Sequence, residues 1–534
     1  MFERAWFRSW LLLLAFAVVM ASTACGEEGG GAGNDGTTDS GTTDTGTTET
    51  GDGDGDGTGD GDGDGDGTGD GDGDGDGTGD GDGDGDGDGD GEDTRDIAEA
   101  LAAIEGMTVV ELAVELEGYR FFRLTFEQPV DHTDATNGTF VQHMTLLHRD
   151  RSAPTVLITN GYYGSTRARR GELATLLSAN QLSVEHRFFA PSVPSVVDWS
   201  KLTIAQSAND HHRIVTAVRP LYSAPWVNTG ASKGGMTAMY HRYFFPNDVD
   251  GTVAYVAPHS YGARDSRYAD FFADIGNETC RGDVRALQRE LLSRRSAMLE
   301  AAEAYAAGRG LSFVRVGGVE SAFEAAVLEV EWYFWQYAGL RGCGGLPSTD
   351  GTDAELFDAM NNLGGLFYAS DSFLETYGPY FFQAHTQLGY PAVDRSHLAD
   401  LLETDSINLE EGVPPVGAQV VFDAQPMVDV ADWLATEASE VMLVYGEFDP
   451  YTAGAYELGD AADSFRFDVA GGTHGASISA LATSDREAAF AALERWTGVA
   501  PARLGPAQAP STLTGVALRR QREVDAWLAR RLAR

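Results

Sequence analysis

The sequence predicts an α/β fold, a mostly parallel, doubly wound sheet with a large helical cap inserted into it. Three observations predict it. Short β-branched and aromatic runs alternate with helical periodicity from Tyr119 to Ala257. The alternation then gives way to long helical patterns and returns at Glu440-Val-Met-Leu-Val-Tyr445. Between a short apolar run and a helical stretch stands Gly230-Ala231-Ser232-Lys233-Gly234. Glycines two residues either side of a serine permit the sharp strand-to-helix turn that exposes a nucleophile above a sheet.

The first 93 of the 534 residues are not expected to join that fold. Residues 1–25 carry Arg4 and Arg8, an apolar core from Leu11 to Met20, and the small residues Ala21-Ser22-Thr23-Ala24. This is the pattern of a secretory signal peptide, too short to span a bilayer. Cys25 follows as in a bacterial lipobox, although Ser22 stands where Leu, Val or Ile is commoner. Lipidation at Cys25 is the expectation and plain signal cleavage the alternative. In either case the chain is exported, to the outer membrane or cell surface as a lipoprotein, or secreted.

Residues 26–93 are almost wholly Gly, Asp and Thr, with no Lys or Arg. With nothing to bury they cannot offset their own ordering entropy, so a disordered acidic tether is expected. Asp52-Gly-Asp54-Gly-Asp56-Gly has the start of an EF-hand loop, but the twelfth position is Gly63 rather than a bidentate Glu and no helices flank it. The tether supplies much of the formal charge of −45. No basic patch with interleaved aromatics exists, so nucleic acid is not an expected partner.

Residues 94–259 form the first part of the sheet domain. Tyr119–Phe126 and Thr139–Leu147 read as antiparallel strands, and Thr155–Thr159, Leu182–Phe189, Trp226–Asn228 and Thr252–Ala257 as further strands. Helices are expected at Arg169–Leu177, Thr203–Val218 and Met236–Tyr243. Residues 260–429 are expected to be the cap, with helices over Asp283–Ala307, Glu320–Gly339 and Ala354–Tyr368. Plain helix packing is the expected use of Trp332-Tyr333-Phe334-Trp335, with pocket lining as the alternative. Cys280 and Cys343 are an even pair in a disulfide-permissive compartment and are expected to be bridged, two free buried thiols being the alternative. Residues 430–534 complete the sheet with Glu440–Tyr445 and Ser464–Ala470. The basic amphipathic segment Leu513–Arg534 is expected to dock on the body.

An unaided serine hydroxyl is a poor nucleophile and needs a base, which needs an orienting acid. Asp449, in Gly446-Glu447-Phe448-Asp449-Pro450, lies in the loop beyond a late strand and is preferred to the rival Glu447, which falls closer to the strand end. His474, in Gly471-Gly472-Thr473-His474-Gly475, lies on the loop after one further strand. The order Ser232, Asp449, His474 is that of the α/β-hydrolase fold. The oxyanion formed on attack needs fixed backbone donors. Lys233 N–H should be one; the other should come from Asn160–Gly164, at Tyr162 or alternatively Tyr163. Such chemistry calls for neither metal nor organic cofactor.

The same residues carry a family resemblance. Phe126-Glu-Gln-Pro-Val-Asp131-His132 with Gly138-Thr139-Phe140, Val184-Glu185-His186-Arg187-Phe188-Phe189, and Gly-Ala-Ser232-Lys-Gly-Gly-Met236 look like the secreted, tripeptidyl aminopeptidase-like serine peptidases of family S37. The resemblance spans Tyr119 to about Trp496, and the peptidases of family S28 are more distantly similar. It implies an exopeptidase that holds a free α-amino group and releases short peptides, tripeptides being expected, through an acyl-enzyme. Tyr380-Phe-Phe-Gln383-Ala-His385-Thr-Gln387-Leu-Gly389-Tyr390 resembles a cap segment near the active site, with Gln387 where family S28 usually has Glu. Asp371, Glu375 and Glu331 are candidates for the acid that takes the amine, and Glu185 with Arg187 reads as a buried ion pair. A carboxylester hydrolase on the same triad and a non-catalytic surface binding protein are the other two readings.

Overall fold

The computed structural model describes residues 94–405 and 412–503. The expectations for the signal peptide, Cys25, the tether and Leu513–Arg534 lie outside the described residues.

A nine-stranded sheet organises this region. Its strands are β1 (Met107–Leu112), β2 (Arg120–Pro129), β3 (Thr139–His148), β4 (Thr155–Thr159), β5 (Asn180–Val184), β6 (Trp226–Ala231), β7 (Gly251–Tyr255), β10 (Val441–Gly446) and β11 (Phe465–Val469). The two-residue strands β8 (Arg264–Asp265) and β9 (Tyr390–Pro391) pair with each other outside it. The order across the large sheet is β1-β2-β3-β5-β4-β6-β7-β10-β11. The first three strands run antiparallel, and β3 meets β5 antiparallel. From β5 through β11 every pairing is parallel. A parallel strand can be reached only by a crossover, and helices packed on both faces supply it.

The two faces are visible in the alternation of single strands. Val253, Met442 and Val444 pack with Leu173, Ile478, Phe490 and Trp496, beneath helices Glu172–Leu176 and Thr483–Thr497. Ala254, Val441, Leu443 and Tyr445 face the other way, onto Ile204, Met239, Met427 and Val430 of helices Ile204–Val218, Lys233–Phe244 and Gln425–Thr436. Residues of period two thus serve two cores, which is why these strands read as continuous apolar runs. This sheet with helices on both faces is the α/β-hydrolase fold that the sequence predicts.

The chain between β7 and β10 is mainly helical and has its own core, from Tyr268 through Trp332 and Phe381 to Leu398. Cys280 and Cys343 are disulfide-bonded there, with Cα atoms 5.6 Å apart. Trp332, Phe334 and Trp335 are buried in this core.

Several boundaries differ from expectation. Strand β5 stops at Val184, because Glu185–Phe189 turns away: His186 N–H donates to Tyr162 O and Phe188 takes a left-handed φ of 68°. The expected helix over residues 283–307 is two, Glu278–Ser293 and Arg295–Arg309. No Gly or Pro marks the break. Instead Arg294, besides Glu290 one turn back, bonds to Asp353 and the carbonyls of Thr349 and Gly351, partners that only the fold brings near.

Candidate active site

Strand β6 runs directly into helix Lys233–Phe244, and Ser232 is the joint. Its φ of 56° and ψ of −128° are strained for a residue with a side chain, a conformation that persists only where the surroundings enforce it. Here Ser232 N–H donates to Tyr255 O at 2.8 Å and its carbonyl accepts from Met236 N–H at 3.0 Å. Glycine is required on both sides. A Cβ on Gly230 would lie 2.1 Å from the Gly234 carbonyl oxygen, and one on Gly234 would lie 2.9 Å from Thr159 O. The helix can therefore start against the sheet, leaving the serine half-buried at the carboxyl end of β6.

Asp449 and His474 leave the sheet at the same edge, after β10 and β11. His474 Nδ1 lies 2.7 Å from Asp449 Oδ2. The aspartate is fully buried, and its other oxygen accepts the N–H of Tyr451 at 3.2 Å, so the carboxylate has a fixed orientation. His474 N–H donates to Gln336 O, and the imidazole lies between the rings of Tyr337 and Tyr451, at 6.0 and 5.1 Å. The rival Glu447 accepts the Gly471 N–H instead and holds the turn that precedes His474. Among the described residues no hydrogen bond joins the Ser232 hydroxyl to His474.

The loop after β4 packs on the start of the Ser232 helix. A Cβ on Gly161 would fall 2.7 Å from Lys233 C and Gly234 N, so this peptide lies directly against the turn. Lys233 opens the helix, and its N–H has no intrahelical acceptor. Tyr163 OH donates to Thr376 O in the helical region. Glu185 accepts from Gly164 N–H at the far end of this loop and from Ser192 N–H and Oγ. The expected Glu185–Arg187 pair is therefore corrected: Arg187 forks onto Asp210, both distances 2.7 Å, with both side chains buried.

A run of aromatic rings connects the histidine to this loop. It passes from Tyr337 to Tyr333, Tyr368, Phe373, Tyr377 and Tyr162, each ring 4.4–5.8 Å from the next. Sequence reasoning missed Tyr337, Tyr368 and Tyr377, because their meeting depends on how separate helical segments pack together.

Two of the three candidate acids have structural partners. Asp371 accepts from Ser312 Oγ and from the N–H groups of Val314 and Arg315; burial opposes ionisation, but these bonds hold its carboxyl below the usual range. Glu331 is paired with Arg285 at 2.9 Å, and burial still pushes its carboxyl up. Glu375 lies on the short helix Asp371–Thr376. Gln387 accepts the N–H of Ile204 and so caps the helix start at Ile204–Val218. Sequence reasoning passed over Glu329, which is buried one turn before Tyr333 on helix Val319–Tyr333. It stands between Glu324 and Glu331 in the otherwise apolar stretch Ala325-Ala326-Val327-Leu328-Glu329-Val330, which sets it apart little in sequence.

The family model described as PS-10 peptidase S37 matches residues 91–531. The chain belongs to the peptidase S37 family. It is a peptidase, and the resemblance expected from its sequence is borne out. It is 40% identical over 410 residues to the prolyl tri/tetrapeptidyl aminopeptidase of Streptomyces mobaraensis, covering 76% of this chain and 86% of that one. Among solved structures, the proline iminopeptidase of Mycobacterium smegmatis is 13% identical, covering 69% of this chain and 96% of that one at a TM-score of 0.29. A peroxisomal alpha-beta-hydrolase from Saccharomyces cerevisiae is 11% identical, covering 79% and 97%, also at 0.29. Likenesses this weak add nothing to the fold that the strand order already gives this S37 peptidase.

Proposed function

We propose that this S37 peptidase is an exported serine aminopeptidase that removes short peptides, tripeptides foremost, from free N-termini through an acyl-enzyme. The observation that carries the reading is the 2.7 Å contact between buried Asp449 and His474, at the same sheet edge as the strained Ser232. Asp449 fixes the imidazole so that Nε2 is the nitrogen left to take the serine proton. The Ser232 oxygen attacks the scissile carbonyl, and the proton passes to His474 and then to the leaving amine. Water attacks the acyl-enzyme by the same route in reverse. The hydrogen bond between Ser232 and His474 is one that substrate binding would form, since catalytic hydrogen bonds often tighten only in the complex. Lys233 N–H and Tyr162 N–H are the oxyanion donors in this reading.

In this reading the helical region between β7 and β10 is a cap whose aromatic wall receives the peptide, and Glu329, buried one turn before Tyr333 of that wall, takes its α-ammonium. The name of the Streptomyces mobaraensis relative supports tri- and tetrapeptide release. Export and anchoring through Cys25, on a tether formed by residues 26–93, rest on the sequence pattern.

The test is a coumarin-amide series of one, two and three residues, with free and acetylated N-termini, given to the wild type, Ser232→Ala and Glu329→Gln. The expected result is release from the free tripeptide, abolished by Ser232→Ala, with KM raised at least tenfold by Glu329→Gln. Equal or faster turnover of acetylated substrates would remove the aminopeptidase reading and leave an endopeptidase or an esterase.

A further inference from the structure

The chain contains two lysines, Lys201 and Lys233, against 35 arginines. Lys201 pairs with Asp131 on the far side of the β2–β3 turn. Lys233 is different. It follows the nucleophile directly, is 2% exposed, and forms no ion pair among the described residues. Its Nζ donates to the Gly161 carbonyl oxygen at 2.6 Å. The rings of Tyr162 and Phe189 lie 5.5 and 5.6 Å from the nitrogen. A buried cation without a carboxylate is costly, and burial pushes this ammonium well below the usual lysine range. His186, which feels the charge of Lys233, is likewise driven by burial toward its neutral form. Arginine could not respond in this way, since it cannot give up its proton in a protein. A lysine at this position can remain as a neutral amine, still a hydrogen-bond donor.

What the amine holds is informative. Gly161 O and Tyr162 N–H belong to one peptide unit, and this bond is trans. In a planar trans peptide the C=O and N–H point to opposite sides, so fixing one direction fixes the other. Gly161 is also pressed against the backbone of Lys233 and Gly234. We propose that the Lys233 side chain is a positioning residue of the oxyanion hole: by holding Gly161 O from behind, it locks the Gly161–Tyr162 peptide plane so that Tyr162 N–H is presented beside the N–H of Lys233 itself. One residue thus supplies one donor from its backbone and aims the other with its side chain. This rests on the triad reading above.

The direct test is Lys233→Met, which keeps the apolar stem and removes the donor. Losing an oxyanion donor outright lowers kcat by about 10²–10³-fold, and a donor left in place but unaimed should lose roughly 10–100-fold. The expected result is that loss in kcat per titrated active site, with KM within about threefold. Affinity for a peptide aldehyde, whose adduct with Ser232 places an oxyanion in the hole, should fall by the same factor. Should Lys233→Met fail to fold, the wild type suffices. Lysine labelled with ¹³C at Cε gives two signals, and that of Lys233 should shift when the aldehyde binds, and not in Ser232→Ala. Unchanged kcat and aldehyde affinity, or an unmoved Lys233 signal with the aldehyde bound, overturns the inference. If the wild type neither reacts with a fluorophosphonate at Ser232 nor binds the aldehyde, the triad reading fails first.

Discussion

The sheet and the helical region between β7 and β10 are held together by different means. Around Ser232 the contacts are backbone to backbone: Gly230 against Gly234, Gly234 against Thr159, Gly161 against Lys233. No flexible group lies between these elements to absorb a change. The helical region has such points too, at Gly364 against Ala326 and Gly389 against Gly262, but many of its ties are made by side-chain ends. Arg285 meets Glu331, Arg289 meets Asp400, Arg294 meets Glu290 and Asp353, and Arg295 meets Glu324 and Glu403. The aromatic rings stack across the same helices. The difference is that Ser232 is carried where backbone geometry has no slack, while the helical region is tied by side-chain ends that have room to adjust.

That contrast can be broken first at its most rigid point. Asp449→Asn keeps the shape of the side chain but leaves His474 free to take the wrong tautomer. Activity should fall by about 10⁴-fold with little change in thermal stability, as read by steady-state kinetics and calorimetry on one preparation. A loss below tenfold would mean that Asp449 does not orient the base.

Glycine-to-alanine replacements sharpen the comparison. Gly230→Ala puts a methyl 2.1 Å from a backbone oxygen, and the expected loss is upwards of about 3 kcal/mol in denaturant unfolding, or no soluble protein. Gly282, inside helix Glu278–Ser293, has nothing within 4 Å of its Cβ direction. There the same replacement should stabilise by about 0.5–1 kcal/mol, because helix propensity is the remaining difference. Similar effects at the two sites would contradict the contrast.

The smallest expected effect is one of pH, and it touches both regions. Burial holds His148 and His211 in the sheet region, His259 just beyond β7 and His397 in the helical region at a pKa of about 4. The unfolded chain takes up these protons near pH 6.5. Their contribution to stability is therefore complete above that value and is lost progressively as pH falls from about 6.5 to 4. A melting temperature that declines through this window, and flattens for His211→Gln in proportion, is the expected record. A flat profile would mean that these histidines titrate normally.

The fold was more legible in the sequence than the walls of the site. Period-two and period-3.6 patterns are local, so β4, β6, β7 and β10 could be read from them. Strand β1 was missed, because Met107-Thr-Val-Val-Glu-Leu112 lies at the sheet edge, partly exposed, and lacks a continuous apolar run. Glycine flanking and chain order pointed to Ser232, Asp449 and His474, since a strained turn and a loop histidine leave marks within a few residues. The acid proposed to take the amine left no such mark: Asp371 meets Ser312 and Arg315 only in the fold, and Glu329 reads in sequence as one more helix residue. The role of the Lys233 side chain was equally hidden, because its partner Gly161 is 72 residues away in sequence.

Active-site labelling decides whether Ser232 is the nucleophile. The full chain would be treated with a fluorophosphonate probe, digested and mapped by mass spectrometry. The expected result is a single adduct, on Ser232, with labelling abolished by Ser232→Ala and greatly slowed by His474→Ala. An adduct on another residue, or an active enzyme that the probe does not modify, would contradict it.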